Sequence, residues 1–183
     1  NDDPEEPFFT DAVKYFIFNT AVAQAVKQNI FDHIDIAHLH DWHTALLVFH
    51  REYNPVYEVL KQTHFVYSIH NLSLQGIRPL RDNYASVEGF FPEIQYDYHK
   101  VSDTRYPDCI NLMAVGIRLC DQVHTVSPSY MEDIMKPSNK PEFIGGEGLE
   151  QDLILANNEG RLHGILNGVN YANMRVAQTG KLY

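Results

Sequence analysis

Four times in this chain a short apolar run stops abruptly in polar, turn-forming residues, and helical patterns lie between the runs. Residues 34–44 show the design most clearly. Ile34, Ile36, His38 and His40 alternate with Asp35, Ala37 and Leu39, which is the two-residue period of a strand. Asp41 then stands where a helix N-cap belongs, ahead of an apolar pattern through Trp42, Ala45, Leu46 and Phe49. The design recurs at 65–69 ending in His70-Asn71, at 121–126 ending in Ser127-Pro128, and around 164–166 ending in Asn167-Gly168. Neighbouring parallel strands need crossover connections, and helices between strands supply them. The expected class is therefore α/β, a Rossmann-like parallel sheet with helices on both faces and all four strand ends on one rim. Ligands of such sheets bind just beyond the carboxyl ends of the strands.

The remaining elements follow from punctuation. Thr10 can cap a helix over 11–28, whose apolar residues leave only a narrow polar stripe of Thr20, Gln24, Lys27 and Gln28, so most of its circumference should be covered. A helix over 42–53 ends at Asn54-Pro55. Residues 72–107 keep no sustained period but hold Tyr84, Phe90, Phe91, Tyr96, Tyr98 and Tyr106, a long excursion whose aromatics are expected to pack it onto the domain. A buried helix is expected over 110–119, with Gly116 its weak point in propensity. A second runs to about Met135, capped by Ser127 with Pro128 at its first position. The stretch 136–148, rich in Pro and Gly, should be irregular. The tail after Tyr171 carries weak signals and is left unassigned.

Composition narrows the function. With 183 residues, 44% hydrophobic and 21% charged, the chain can bury one sizeable core. Its formal charge of -10 and the lack of a basic patch argue against nucleic acid or an anionic membrane as partner. No stretch approaches the roughly 18 apolar residues of a membrane span, and the acidic start is unlike a signal peptide. Cys109 and Cys120 lack the spacing of a metal or redox motif, so free thiols in a reducing, cytoplasmic setting are expected. The absence of an initiating Met suggests an excised piece.

His40, closing the first strand at the rim, is the leading candidate for chemistry. A neutral imidazole there can hydrogen-bond a ligand hydroxyl, and a site built to pair with that hydroxyl rejects ligands lacking it. His38 shares the strand face two residues deeper and reads as core or supporting. Asp41 reads first as a helix cap worth about 1 kcal/mol and only second as an acid or base, and Trp42 reads as ordinary core that can also wall the pocket. His70 and Asn71 can present donors and acceptors, although Asn71 equally suits an unusual turn angle.

Taken together the motifs go further. His-Leu-His-Asp-Trp-His-Thr-Ala-Leu at 38–46, Ser-Ile-His-Asn-Leu-Ser-Leu-Gln-Gly at 68–76, Asp-Gln-Val-His-Thr-Val-Ser-Pro-Ser-Tyr at 121–130 and Gly-Ile-Leu-Asn-Gly-Val at 164–169 stand in the order and spacing of one family. They resemble bacterial glycogen synthases and plant starch synthases. The resemblance implies one part of a two-domain GT-B glycosyltransferase: a single partial Rossmann-like domain over 1–183, the acceptor-side half, without its first strands and without the nucleotide-binding carboxyl-terminal domain. It implies a retaining transfer of glucose from ADP-glucose to the non-reducing end of an α-1,4-glucan, with no cofactor and no metal. By resemblance His40 contacts the donor glucose near its reacting centre, and Asp41, Trp42, His70, Asn71 and Asn167 line the same cleft. Asp11 matches the aspartate of a Thr-Asp-Asn segment, here followed by Ala12. Where many members read Phe-Leu-Lys-Ala-Gly, this chain has Leu112-Met113-Ala114-Val115-Gly116, which removes a positive charge near the site.

Two other readings stay open. His38, His40, Asp41 and His43 crowd within six positions and prompt a metal-dependent hydrolase, although the aspartate stands one position early for a His-x-His-x-Asp-His site. A non-catalytic carbohydrate-binding module is the other, since a piece lacking the second domain cannot clamp a donor diphosphate and is expected to be inactive alone. Without the first strands, a sheet edge should remain unpaired and prone to self-association.

Overall fold

The computed structural model describes residues 9–168. The acidic start and the tail after Tyr171 lie outside the described residues. Four parallel strands form the main sheet in the order β1 (Ile36–His40), β2 (His64–Ile69), β5 (Gln122–Thr125) and β6 (Leu162–Gly164). The excursion carries a small antiparallel pair, β3 (Ile77–Pro79) with β4 (Cys109–Asn111), and two single turns, α4 (Val87–Phe90) and α5 (Tyr98–Val101). The longer helices are α1 (Phe9–Lys27), α3 (Leu46–Tyr53) after the short α2 (Asp41–Thr44), α6 (Leu112–Leu119), α7 (Pro128–Ile134) and α8 (Glu150–Asn158). A 3-10 helix, Pro55–Gln62, follows α3, and Asn54 caps it by accepting from the Val56 N–H.

Alternation along the strands sorts side chains onto two faces, and only one face is buried. Leu39, Phe65, Tyr67, Ile69, Val123 and Leu162 point into the core. There α6 presses so closely on β2 that a Cβ at Gly116 would meet the Tyr67 ring at 2.3 Å. The residue that lowers helix propensity is thus the one that lets the sheet and helix touch. Tyr67 also donates its hydroxyl to Met113 Sδ at 3.0 Å. The opposite face carries His38, His40, His64 and His163, all exposed. The α/β class and the parallel sheet are as expected, but among the described residues the helices cover one face, not both. Imidazoles at every second position make a face that tolerates water.

Helix α1 shows the same one-sidedness. Ala12, Phe16, Asn19 and Ala23 are buried against α3 and the excursion, whereas Ile17 and Phe18 are 59% and 51% exposed. The expected burial of most of its circumference is therefore corrected to a single stripe. Thr10 lies inside the helix and not before it. Phe90, Phe91 and Tyr96 pack the excursion onto Phe16 and Phe49, as expected, while Tyr84 and Tyr106 stay exposed. A buried polar network completes the anchoring. Asn111 Nδ2 donates to Gln75 Oε1 and Asp103 Oδ2 at 2.7 and 2.6 Å, and Gln75 Nε2 donates to the Leu72 and Glu147 carbonyls.

One strand moved and one helix was added. The fourth strand is Leu162–Gly164, earlier than expected, and it follows α8, a helix the sequence pattern did not mark. β1 pairs with β2 alone, so among the described residues its outer edge is open, with Ile36 61% exposed.

Candidate functional site

The carboxyl ends of β1 and β2 meet at the rim. His40 ends β1, and its backbone N–H donates to Thr44 Oγ1 at 2.6 Å while Thr44 Oγ1 donates back to the His40 carbonyl. This loop of hydrogen bonds turns the chain sharply. Asp41 absorbs the turn with φ of 51°, a left-handed conformation that aspartate tolerates better than most residues and that is characteristic of strained functional turns.

Asp41 is not the expected helix cap. The first turn of α2 receives no side-chain cap, and Asp41 Oδ1 instead accepts from the His70 backbone N–H at 2.8 Å. A capping aspartate and a cross-strand tie look identical in sequence, because both precede a helix. The tie draws the two strand ends together, so His40 Nδ1 and His70 Nε2 meet at 3.0 Å. Asn71 Oδ1 accepts from the Ser73 N–H at 2.8 Å, shaping the following turn. Asp41, Trp42, His43, Asn71 and Leu74 line one small cleft.

Trp42 is buried, edge-on to Tyr15 and stacked on His43 with ring centroids 4.2 Å apart. Its buried Nε1–H has no hydrogen-bond partner among the described residues. Gly76, at φ of +64°, comes so close that a Cβ would lie 2.6 Å from the indole, which requires glycine there on both counts. Burial lowers the His43 imidazole from its ordinary value, and Asp41 and Asp11 pull the other way. Asp11 therefore lies within electrostatic reach of the cleft. Its own carboxylate takes a hydrogen bond from Lys14 Nζ at 2.8 Å, which holds it below the usual value.

The structure thus gathers His40, Asp41, Trp42, His70 and Asn71, sets Asp11 beside His43, and leaves Asn167 apart. Asn167 is exposed, three residues beyond β6, at the far edge of the sheet from β1. Ser127 caps α7 by accepting from the Tyr130 N–H, as expected. Position 114, where many family members carry lysine, is a fully buried alanine. Ser68 and His124 were missed by the sequence reading. Their signal was the alternation that put His38 and His40 on one face, which strand register extends to Ser68 on β2 and His124 on β5.

Among the described residues no three or more His, Cys, Asp or Glu side chains converge to hold a metal, and the hydrolase reading gains no support. The arrangement offers hydrogen-bonding imidazoles at a parallel-sheet rim, equipment for a polyhydroxylated ligand.

The fold is that of part of a GT-B catalytic domain. Residues 1–154 match the family described as "Starch synthase catalytic domain", and the chain belongs to that family. It is 33% identical over 172 residues to a glycogen synthase of Bacillus cereus (strain ATCC 10987 / NRS 248), covering 88% of this chain and 31% of the relative. It is also 33% identical over 162 residues to a glycogen synthase of Clostridioides difficile (strain 630), with the same coverage. Among solved structures it resembles the catalytic domain of starch synthase IV from Arabidopsis thaliana bound to ADP and acarbose. That match has a TM-score of 0.66 and 22% identity, and covers 92% of this chain and 31% of that one. The chain spans about a third of the length of the relatives it matches.

Proposed function

We propose that the chain is the acceptor-side portion of a retaining glucosyltransferase that moves glucose from ADP-glucose onto the non-reducing end of an α-1,4-glucan. Family membership supports the reaction class. The ADP in the Arabidopsis relative supports the nucleotide of the donor. The observation that carries the residue assignment is the meeting of two strand ends, with His40 and His70 3.0 Å apart and Asp41 tying them.

In this reading His40 donates or accepts a hydrogen bond at the donor glucose, His70 and Asn71 face the glucan or the sugar beside it, and Trp42 forms part of the cleft wall. Asp41 holds the two turns, and Asp11 lies within electrostatic reach of His43. The remainder of the parent enzyme, above all its carboxyl-terminal domain, would close the cleft and stabilise the departing diphosphate. The exposed Ile17, Phe18 and Ile36 mark where further parent chain would pack. The isolated piece would transfer no glucose, bind glucan weakly at most, and self-associate through the open β1 edge. Free Cys109 and Cys120 suit a reducing cytoplasm.

The test is His40→Ala in the full-length parent. Losing one hydrogen bond made in the transition state is expected to lower kcat by about 100- to 1,000-fold, with glucan binding nearly unchanged. Equal loss of both would return His40 to a packing role. Turnover by the isolated chain would overturn the division of labour.

A further inference from the structure

A hydrogen bond to a sugar requires that His40 present a defined nitrogen, and position alone does not fix which nitrogen carries the proton. The side chains behind it bear on that. On the open face a row of imidazoles crosses three strands: His124 on β5, His38 and His40 on β1, and His70 at the end of β2. His38 Nε2 and His124 Nε2 each lie 2.6 Å from Ser68 Oγ and 3.2 Å from one another. Ser68 is only 1% exposed on a face that is otherwise open. The His38 ring lies against that of His40, centroids 4.4 Å apart and planes 35° apart. His40 Nδ1 then meets His70 Nε2.

One hydroxyl has one proton to give. Two protonated nitrogens would repel each other at 3.2 Å, so the arrangement that satisfies all three contacts has Ser68 donating to one Nε2 and accepting from the other, with His38 and His124 in complementary neutral tautomers. The His40–His70 contact obeys the same rule, one nitrogen protonated and the other bare. Among the described residues no carboxylate interrupts the row: Asp41 engages the His70 backbone N–H, and Asp121 reaches His64 at 4.0 Å at the other end of the sheet. His163, also on this face, engages Gln122 Oε1 at 2.8 Å.

We propose that Ser68, His38 and His124 are positioning residues for His40, with the hydroxyl-bridged pair fixing the His38 ring, that ring fixing the plane of His40, and His70 fixing which His40 nitrogen carries the proton. This deepens the reading of His40 as the glucose-contacting residue and rests on it for its catalytic meaning. It makes Nε2 the nitrogen left for the ligand. The row belongs to this chain's own face pattern, and its members other than His40 and His70 act through another side chain.

The experiment reads the imidazoles directly. Long-range proton–nitrogen correlation spectra of the nitrogen-15-labelled chain at pH 7.5 should show His40 in one dominant tautomer. In Ser68→Ala and in His124→Asn the two His40 nitrogens should move toward the averaged shifts of a mixture, although neither altered side chain hydrogen-bonds to His40. Ser68→Thr, which keeps a hydroxyl, should retain the wild-type pattern and covers the case in which the alanine variant fails to fold. His163→Asn, on the same face but outside the row, should leave His40 unchanged. An unchanged His40 in folded Ser68→Ala and His124→Asn overturns the proposal, as does an equal change in His163→Asn. In the full-length parent, Ser68→Ala should lower kcat by up to about 100-fold with KM for the donor within about twofold, the split expected of misorientation. If the spectra change as stated while parent His40→Ala stays fully active, the positioning stands and the catalytic reading of His40 falls.

Discussion

On one face of the sheet Phe65, Tyr67, Ile69 and Val123 are buried beneath α6 and its neighbours; on the other, reached by stepping one residue along the same strands, lie His38, His40, His64, His124 and His163. Both faces contain rings, but they are held by different forces. The buried face is apolar area removed from water and close packing, typified by Gly116 against Tyr67. The open face is a set of directional hydrogen bonds between imidazoles, a serine and a glutamine, each of which water can replace. Stability should therefore be concentrated on the first face and ligand recognition on the second, with His40 and His70 at the point where the second face reaches the rim.

The comparison breaks first at Tyr67. Tyr67→Ala removes a fully buried ring that fills the space Gly116 vacates, and should cost about 3–5 kcal/mol in urea unfolding, the range of large-to-small aromatic substitutions in cores. A loss under about 1 kcal/mol would mean that the sheet and α6 are not packed as described. Gly116→Ala attacks the same contact from the other side. The added methyl meets a ring held on a central strand, and overpacking of about 1–3 kcal/mol is expected.

Histidine itself sharpens the contrast, because one imidazole sits in the helical layer. His50 is fully buried on α3, its Nε2 3.1 Å from Thr20 Oγ1 and its Nδ1 3.3 Å from Asn54 Nδ2. Thr20 already donates to the Phe16 carbonyl, so His50 donates from Nε2 and accepts at Nδ1, and both nitrogens are satisfied only in the neutral form. Burial pushes its pKa down to about 4. A histidine depressed on folding contributes stability that is present above its unfolded value, about 6.5, and is lost as pH falls toward 4, because the unfolded chain takes up the proton first. The loss over that window should be about 3 kcal/mol, seen as a falling urea midpoint from pH 7 to 4, and His50→Gln should flatten it. Desolvation lowers His38 and His124 as well, followed by repulsion from neighbouring imidazoles for His38, so they act in the same direction. A slope untouched by His50→Gln would place the acid sensitivity on the open face.

Much of this division was legible in sequence, and the reasons it was not wholly so are physical. Alternation from Ile34 to His40 gave the strand, the face shared by His38 and His40, and the rim. It could not tell that among the described residues the second face carries no helices, since polar alternation is compatible with a face covered elsewhere in a longer chain. Strands of three residues such as Ile77–Pro79 and Cys109–Asn111 are too short to show a period, and β6 was misplaced for the same reason. The helix Glu150–Asn158 has almost no apolar stripe, with only Leu153 and Ala156 buried. Asp41 was readable as a residue that organises the turn but not as the one that ties two strands, because that partner lies 29 positions away. His124 joins His38 only through the β1–β2–β5 register, which no local pattern contains.

The smallest effect is the most discriminating. His64 stands on the open face at the start of β2, its side chain 83% exposed, with Asp121 Oδ2 4.0 Å from its ring nitrogen. An exposed pair at that distance contributes little, since solvent screens it and two side chains lose freedom in forming it. The backbone N–H of His64, which donates to the Asp35 carbonyl, survives substitution. His64→Ala should therefore shift stability by no more than about 0.5 kcal/mol, as surface changes do, measured as the urea midpoint at constant slope. The same substitution in the full-length parent is the informative partner. If parent chain packs on this face, the penalty there rises above about 1 kcal/mol while the isolated chain stays unaffected. Equal, small effects in both would mean that the imidazole face remains open to solvent in the whole enzyme, and that its row of rings meets water along its length rather than only at the cleft.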